Sequence, residues 1–345
     1  MTTSNIASET IADMTSPPDR GLRSAGMRDL DPEAMARFRR VERAFLETTA
    51  ARGYLEIRTP TIEPLHLYTS AGTLSPQALD RVYSFLDWDG WSGERVVLRP
   101  DTTVAVARWY AEQSAGQAGA GERRVAYVQP VYRFAPTNGG EGEREVWQCG
   151  VELFGAPAAT ADGELLLLAR DFLGTLGLGP LSCELAHAGV VRAVFAAAGL
   201  SPIEQIEAHD RLLGGDAGVI ASLTGALPQA AAALRLLSTV DGGSAGYVGN
   251  LRAALLPSVP AAAGALDELE AAARVLDRAG VPYRLLVGTS GSFEYYSGVA
   301  FRLSAGGREY LSGGRYDGLA ETVGGVAAPG SGWGADLLRM AEALS

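Results

Sequence analysis

Cysteine occurs only twice in these 345 residues and histidine three times. Cys149 and Cys183 both fall inside predicted strands, which favours buried free thiols over a disulfide or a metal ligand. His66, His187 and His209 show no metal-ligand spacing, so no metal site is expected. Long apolar runs are missing too. None is long and charge-free enough to span a bilayer, and Met1 to Arg20 is rich in Ser and Thr without an apolar leader segment. Residues 1–21 therefore read as a disordered tail, and the chain as cytoplasmic. Positive charge is in short supply: the net charge of -11 and the pI of 4.9 argue against a broad polyanion-binding surface, whose affinity would come from clustered basic side chains. A small phosphate pocket is still compatible with that balance.

What the chain does have is apolar content. At 47% hydrophobic residues it can bury one large core and a smaller satellite. It also has a distinctive stretch from Phe293 to Leu319: Phe293-Glu294-Tyr295-Tyr296-Ser297-Gly298-Val299-Ala300-Phe301, a turn at Ser304-Ala305-Gly306-Gly307, then Tyr310-Leu311-Ser312-Gly313-Gly314-Arg315-Tyr316-Asp317-Gly318-Leu319. Two aromatic and β-branched runs around a Gly-containing turn predict a hairpin. Alternation puts Tyr295, Val299 and Phe301 on one face and Tyr296, Gly298 and Ala300 on the other. The first face can pack a core. The second sets a phenol beside small residues that leave room for a ligand, an economy repeated by Gly313-Gly314. A buried tyrosine and a Gly-rich turn would account for either motif alone; two in one hairpin favour a site.

Upstream, Asp31-Pro32-Glu33 is a helix start, followed by Met35, Phe38, Val41 and Phe45 at helical spacing until Gly53. Tyr54 to Thr59 reads as a strand ended by Pro60. Arg81 to Phe85 and Arg95 to Arg99 are strand-like, and Leu98-Arg99-Pro100-Asp101-Thr102-Thr103 opens a helix over Val104 to Glu112. Capping alone explains Asp101 on spacing; a carboxylate and a hydroxyl at a helix mouth could also orient an ammonium group. Tyr127 to Phe134 and Arg144 to Phe154 read as strands joined by the polar loop from Pro136 to Glu143. Along the second, Arg144, Gln148 and Glu152 share one face, with Gly150 as a notch, while Trp147, Cys149, Val151 and Leu153 take the other. The pattern alone suits a ligand floor or a solvated sheet face, and the Gly150 notch between two hydrogen-bonding groups favours the floor. Arg133, near the end of the first strand, offers a guanidinium fork for a phosphate or carboxylate. Asp162 to Leu176 is a helix, Leu181 to His187 a strand and Val190 to Ala198 a helix; from Ser201 to about Gly280 the Ala/Leu/Gly-rich composition predicts a helical insertion.

The Phe293–Phe301 and Ser312–Leu319 segments resemble the two signature segments of histidyl-tRNA synthetases. The first helix, strand and Pro60 resemble the first class II synthetase motif, which builds the dimer interface in that family. Val131-Tyr132-Arg133 and Trp147 to Gly155 resemble the second motif, and Ser331 to Arg339 the third. The resemblance, from Leu22 to Ala343, implies an α+β fold, an antiparallel class II sheet flanked by helices. Its core would be 22–200 and 281–345, interrupted by the insertion at 201–280. It implies histidine binding by Asp101, Thr103, Gln148, Glu152, Tyr295 and Tyr296, with Asp101, Thr103 and Gln148 on the α-ammonium group and Glu152 and Tyr296 on the imidazole. Arg133, Arg144, Arg315 and Arg339 are candidate phosphate or carboxylate contacts.

Three departures from an active synthetase bear on function. The sequence stops six residues past Arg339, so the anticodon-binding domain is expected to be absent. Gly291 stands where the synthetase has its carboxylate-binding, catalytic Arg, and Ala135 where the second motif has an acid. That combination resembles the histidyl-tRNA-synthetase-like regulatory subunits of ATP phosphoribosyltransferase, the first enzyme of histidine biosynthesis. The resemblance implies a chain with no catalysis and no cofactor of its own. It would form a homodimer within a hetero-oligomer, activate a short catalytic subunit and take part in feedback inhibition by L-histidine, without tRNA or membrane. The alternatives are a truncated paralogue that adenylates histidine or a related amino acid for a non-tRNA acceptor, and a free-standing amino-acid sensor.

Overall fold

The structure is a computed structural model and describes residues 23–24, 26–71, 82–88, 93–115, 121–134, 143–213, 216, 218–227, 230–239, 242–286 and 296–344. Helix α1 (Pro32–Ala50) begins as its sequence dictates: Asp31 caps it by accepting from the Ala34 amide at 2.8 Å, Pro32 follows, and Phe38, Val41, Phe45 and Thr49 form its buried stripe. The expected strand over 54–59 shortens to β1 (Leu55–Glu56). At the far end of the expected strand Arg99, which is 1% exposed, donates to the carbonyls of Thr59 at 2.9 Å, Pro130 at 2.6 Å and Pro60.

A small sheet follows, β2 (Ile62–Pro64), β3 (Ser84–Trp88) and β4 (Gly93–Leu98), in the order β2-β4-β3, with α2 (Leu65–Ser70) beside it. Helix α3 (Thr102–Ser114) is capped by Asp101, which accepts from the Val104 amide at 3.1 Å.

The main sheet has eight strands. Its members are β1, β5 (Arg123–Tyr132), β6 (Glu145–Phe154), β7 (Leu181–His187), β8 (Tyr283–Leu285), β9 (Val299–Ala305), β10 (Arg308–Arg315) and β11 (Gly330–Asp336). Their order is β1-β5-β6-β11-β10-β9-β7-β8. The six central strands are antiparallel, as expected; β1 and β8 add parallel edges. The β9–β10 turn is Gly306-Gly307, with φ of 57° and 82°, values that require glycine and give the two-residue hairpin its hand.

Register explains how the two faces differ. One face carries Cys149, Val151, Trp333, Leu311, Phe301, Leu303 and Leu185, which join the large core with α1, α4 (Ala158–Leu176) and α5 (Ala188–Ala197). The helical stretch between β7 and β8 contributes to that same core rather than to one of its own. It comprises α6 (Pro202–Leu213), α7 (Gly218–Ala226), α8 (Ala231–Thr239), α9 (Ala245–Leu255) and α10 (Ala263–Ala279), and Val248, Leu251, Leu266, Leu269 and Leu276 are all buried. A smaller core lies on the other face, where α2, α3 and α11 (Leu319–Gly324) pack with Tyr110, Phe154, Tyr296 and Tyr316. The chain closes on α12 (Leu337–Ala343). No helix among the described residues is long and apolar enough to cross a membrane.

Candidate functional site

The face opposite the large core is made of small and polar residues in cross-strand rows. Glu152, Gly332, Gly314, Ala300 and Ala186 stand in register across β6, β11, β10, β9 and β7. The next row is Tyr127, Gly150, Gly334, Ser312, Arg302 and Glu184. Directly opposed residues on neighbouring strands share a face, so a run of glycines lowers the middle of this floor and lets the flanking side chains meet over it.

Glu152 is the centre of that arrangement. It is fully buried, accepting from the Thr103 hydroxyl at 2.7 Å, from the Tyr127 hydroxyl at 3.4 Å and, on its other oxygen, from the Tyr316 hydroxyl. No cationic side chain among the described residues forms an ion pair with it. Burial pushes its carboxyl well above the ordinary range, the nearby Asp101 charge adds to this, and the Thr103 and Tyr127 hydrogen bonds oppose it. Two glycines make the geometry possible. A Cβ at Gly332 would overlap the Glu152 carboxylate, the Val151 carbonyl and the Tyr316 hydroxyl; one at Gly150 would overlap Tyr127 and lie 2.7 Å from the Trp333 carbonyl.

Tyr296 closes the site from the β9 side. It is 8% exposed, its ring stacks on Tyr316 with centroids 6.3 Å apart, and burial, then Glu152 and Asp101, push its phenol well up. Asp101 is half-buried and spends one oxygen on the α3 cap. Burial raises its carboxyl against the pull of Arg133 and of two backbone amides. Of the residues expected at a histidine pocket, Asp101, Thr103, Glu152 and Tyr296 thus share one neighbourhood. Tyr295 lies outside the described residues, as do Ala135 and Gly291.

Gln148, four residues before Glu152 on the same face of β6, lies in an adjoining cleft of about 480 Å³. Its side-chain oxygen is buried and has no hydrogen-bond partner among the described residues. Arg133, Arg308 and Arg339 line that cleft too, with Glu143, Glu309 and Ser312. Arg133 is anchored by its Nε–H to the Pro100 carbonyl at 2.9 Å, which ties the cleft to the mouth of α3. The sequence contains no lysine, so every fixed cation available here is a planar guanidinium suited to paired oxygens.

The other two candidate arginines sit elsewhere. Arg144 stacks over the Phe134 ring at 4.5 Å and reaches the Tyr83 hydroxyl at 3.4 Å. Arg315 is buried among carboxylates, paired with Glu268, with Asp162 at 3.6 Å and with Asp317 at 3.7 Å. Tyr127 and Tyr316, which bond Glu152, were not among the residues expected from sequence. Tyr316 was within reach, since it follows Arg315 in the Gly-rich segment, and Tyr127 stands opposite the Gly150 notch.

Chemically, a buried carboxyl ringed by hydroxyls and without an ion-pair partner among the described residues is suited to a ligand that brings a ring N–H or a positive charge. The cleft alongside supplies three arginines for an anionic group, set among the carboxylates of Glu143, Glu309, Asp336 and Glu342. A family model described as Histidyl-tRNA synthetase matches residues 26–340. The chain is 41% identical over 322 residues to the ATP phosphoribosyltransferase regulatory subunit of Dehalococcoides mccartyi, covering 92% of this chain and 76% of that one. It is 31% identical over 337 residues to the histidine–tRNA ligase of Alkalilimnicola ehrlichii, covering 94% of this chain and 73% of that one. A solved structure from Bacillus halodurans, described as an ATP phosphoribosyltransferase regulatory subunit/histidyl-tRNA synthetase, superposes with a TM-score of 0.81 at 26% identity, covering 95% of this chain and 84% of that one.

Proposed function

The chain belongs to the histidyl-tRNA-synthetase-like family of ATP phosphoribosyltransferase regulatory subunits, and from that premise we propose that it assembles with a short catalytic subunit, activates it, and carries histidine for feedback inhibition. In that role it performs no catalysis itself and acts in the cytoplasm as a homodimer within a hetero-oligomer.

The observation that carries the histidine part is Glu152, a fully buried carboxyl held by three hydroxyls and facing no cation among the described residues. An imidazole donates one ring N–H to such a carboxylate, and the Tyr296 phenol serves the second ring nitrogen. Asp101, Thr103 and Gln148 then hold the α-ammonium group, the Thr103 oxygen accepting while its proton goes to Glu152. Feedback follows by linkage: histidine inhibits to the extent that it binds the inhibited arrangement of the complex better than the active one. The test is the ATP phosphoribosyltransferase rate of the short catalytic subunit with and without this chain, across a histidine titration. Activation by the chain together with altered inhibition by histidine supports the proposal. A rate that the chain leaves unchanged, with no complex formed, removes it.

One observation favours a second reading. Arg133 and Arg339 line a single cleft beside Gln148, as the phosphates of a nucleotide next to a bound amino acid would require. On that reading the chain adenylates histidine for an acceptor other than tRNA. Histidine-dependent exchange of pyrophosphate into ATP would establish it in place of the regulatory role.

A further inference from the structure

Arg315 is 4% exposed and sits behind the site rather than in it. Its guanidinium pairs with both oxygens of Glu268 on α10, one of them at 3.4 Å, and lies 3.6 Å from Asp162 on α4 and 3.7 Å from Asp317. Glu268 accepts in addition from His187 at the end of β7, whose Nε2 is 2.8 Å away. The Nδ1 of His187 accepts from the Gly189 amide at 3.1 Å, which leaves the ring proton on Nε2 to donate to Glu268. Carboxylates from α10, α4 and the segment after β10 thus converge on one guanidinium, and β7 supports the first of them through His187.

The same residue holds the turn that presents Tyr296. The Ser297 amide donates to the Arg315 carbonyl at 2.6 Å and the Gly298 amide does so at 3.4 Å. Gly298 packs against the guanidinium so closely that a Cβ there would overlap it. Asp317, in contact with Arg315, exchanges hydrogen bonds with Ser297: its carboxylate is 3.1 Å from the hydroxyl, and its amide donates to that hydroxyl at 2.9 Å. From the other side Arg192 on α5 donates to the carbonyls of Tyr296, at 3.0 Å, and Ser297. Tyr296 is therefore not held by its own strand alone, because β9 begins only at Val299.

We infer that Arg315 is a positioning residue for the histidine-reading Tyr296, and that Glu268 holds Arg315 in place, so that the helical stretch between β7 and β8 is tied directly to the ligand site. The ligand side of this inference rests on the histidine reading proposed above. The physical reason is that a buried guanidinium has few places to go. Remove its main carboxylate and it must find new partners, and the turn packed on it shifts with it. A partner that moved α10 would then alter histidine affinity, and by reciprocity histidine would alter the hold on α10.

The test uses the full chain and two readouts. Amide hydrogen exchange at Ser297 and Gly298 is compared in wild type, Glu268→Ala and Glu268→Gln, with Cys149 and Val151 in the core of β6 as internal controls. Histidine affinity is measured by calorimetry on the same samples. In Glu268→Ala, exchange at Ser297 and Gly298 should rise and histidine affinity should fall, each by about ten-fold, with the β6 amides unchanged. Glu268→Gln keeps one acceptor and should fall between. Should Glu268→Ala fail to fold, Glu268→Gln and Asp162→Asn carry the same comparison. Wild-type exchange at Ser297 and Gly298 together with wild-type affinity, at a lowered melting temperature, would overturn the inference and leave the network a purely structural one. If wild type itself takes up no histidine, the histidine reading fails, and the exchange rates alone decide whether Arg315 positions the turn.

Discussion

Tyr316 and Glu152 are 164 positions apart in the chain, yet the tyrosine hydroxyl donates directly to the glutamate carboxylate. They do not stand on neighbouring strands. Between β6, which carries Glu152, and β10, which leads into Tyr316, lies β11, and the β11 residue in register with Glu152 is Gly332. The bond passes over a residue with no side chain.

Gly332→Ala should therefore damage the site out of proportion to its size. The added methyl would enter the space of the Glu152 carboxylate, the Tyr316 hydroxyl and the Val151 carbonyl, the last of which is backbone and cannot retreat far in a buried sheet. Overpacking of this kind costs about 1 to 3 kcal/mol. Thermal unfolding should show that loss, and calorimetry should show histidine binding abolished in the fraction that remains folded. A variant with the wild-type melting temperature and affinity would mean that the glycine row is not required.

Glu152→Gln and Tyr296→Phe should each weaken histidine binding by about 1 to 3 kcal/mol, through a hydrogen bond lost or left unmatched. Their stability effects should differ. Glu152→Gln keeps an acceptor for Thr103 while removing a carboxyl that burial disfavours in its charged form, so its melting temperature should hold or rise. Tyr296→Phe preserves the ring that stacks on Tyr316. Calorimetric affinities unchanged in both variants would remove this pocket from the account.

Asp162 gives the protein a stability profile that can be read against pH. Burial raises its carboxyl from the ordinary 3.8 to about 7, with Arg315 pulling the other way. The folded state thus keeps this proton at pH values where the unfolded chain has released it. Its contribution is fully present below the unfolded pKa and is lost as pH rises towards and through about 7. Glu268 works in the opposite sense. Hydrogen bonds from His187 and Arg315 hold it at about 2, so its contribution is present above its ordinary 4.5 and is lost as pH falls towards about 2. Asp162→Asn should remove the first dependence and keep the second. The stability difference between wild type and variant, measured by denaturant unfolding from pH 4 to pH 8, should change by about 4 kcal/mol in favour of the variant. Parallel profiles for the two proteins would contradict this.

Several of these features follow from local sequence. Alternation along 144–154 separated Gln148 and Glu152 from Trp147, Cys149 and Val151, and the structure keeps that division, with the apolar set in the large core. The helix start at Asp31-Pro32, the Asp101 cap and the glycine turn between β9 and β10 follow from backbone chemistry within a few residues, so local sequence suffices. The sequence by itself thus determined which residues share a strand face and where α1, α3 and the β9–β10 turn begin, whereas α4 starts at Ala158, ahead of the expected Asp162. The tertiary structure alone decided which strands became neighbours. By placing β11 between β6 and β10 it aligned Gly332 with Glu152 and brought Tyr127 and Tyr316 onto one carboxyl. It also sent Arg315 into a cluster of carboxylates from distant helices, and buried Arg99 against the carbonyls of Thr59 and Pro130. Periodicity reports the direction of a side chain relative to its own backbone; what it meets there depends on chain segments more than a hundred residues away, whose approach is set by packing of the whole core.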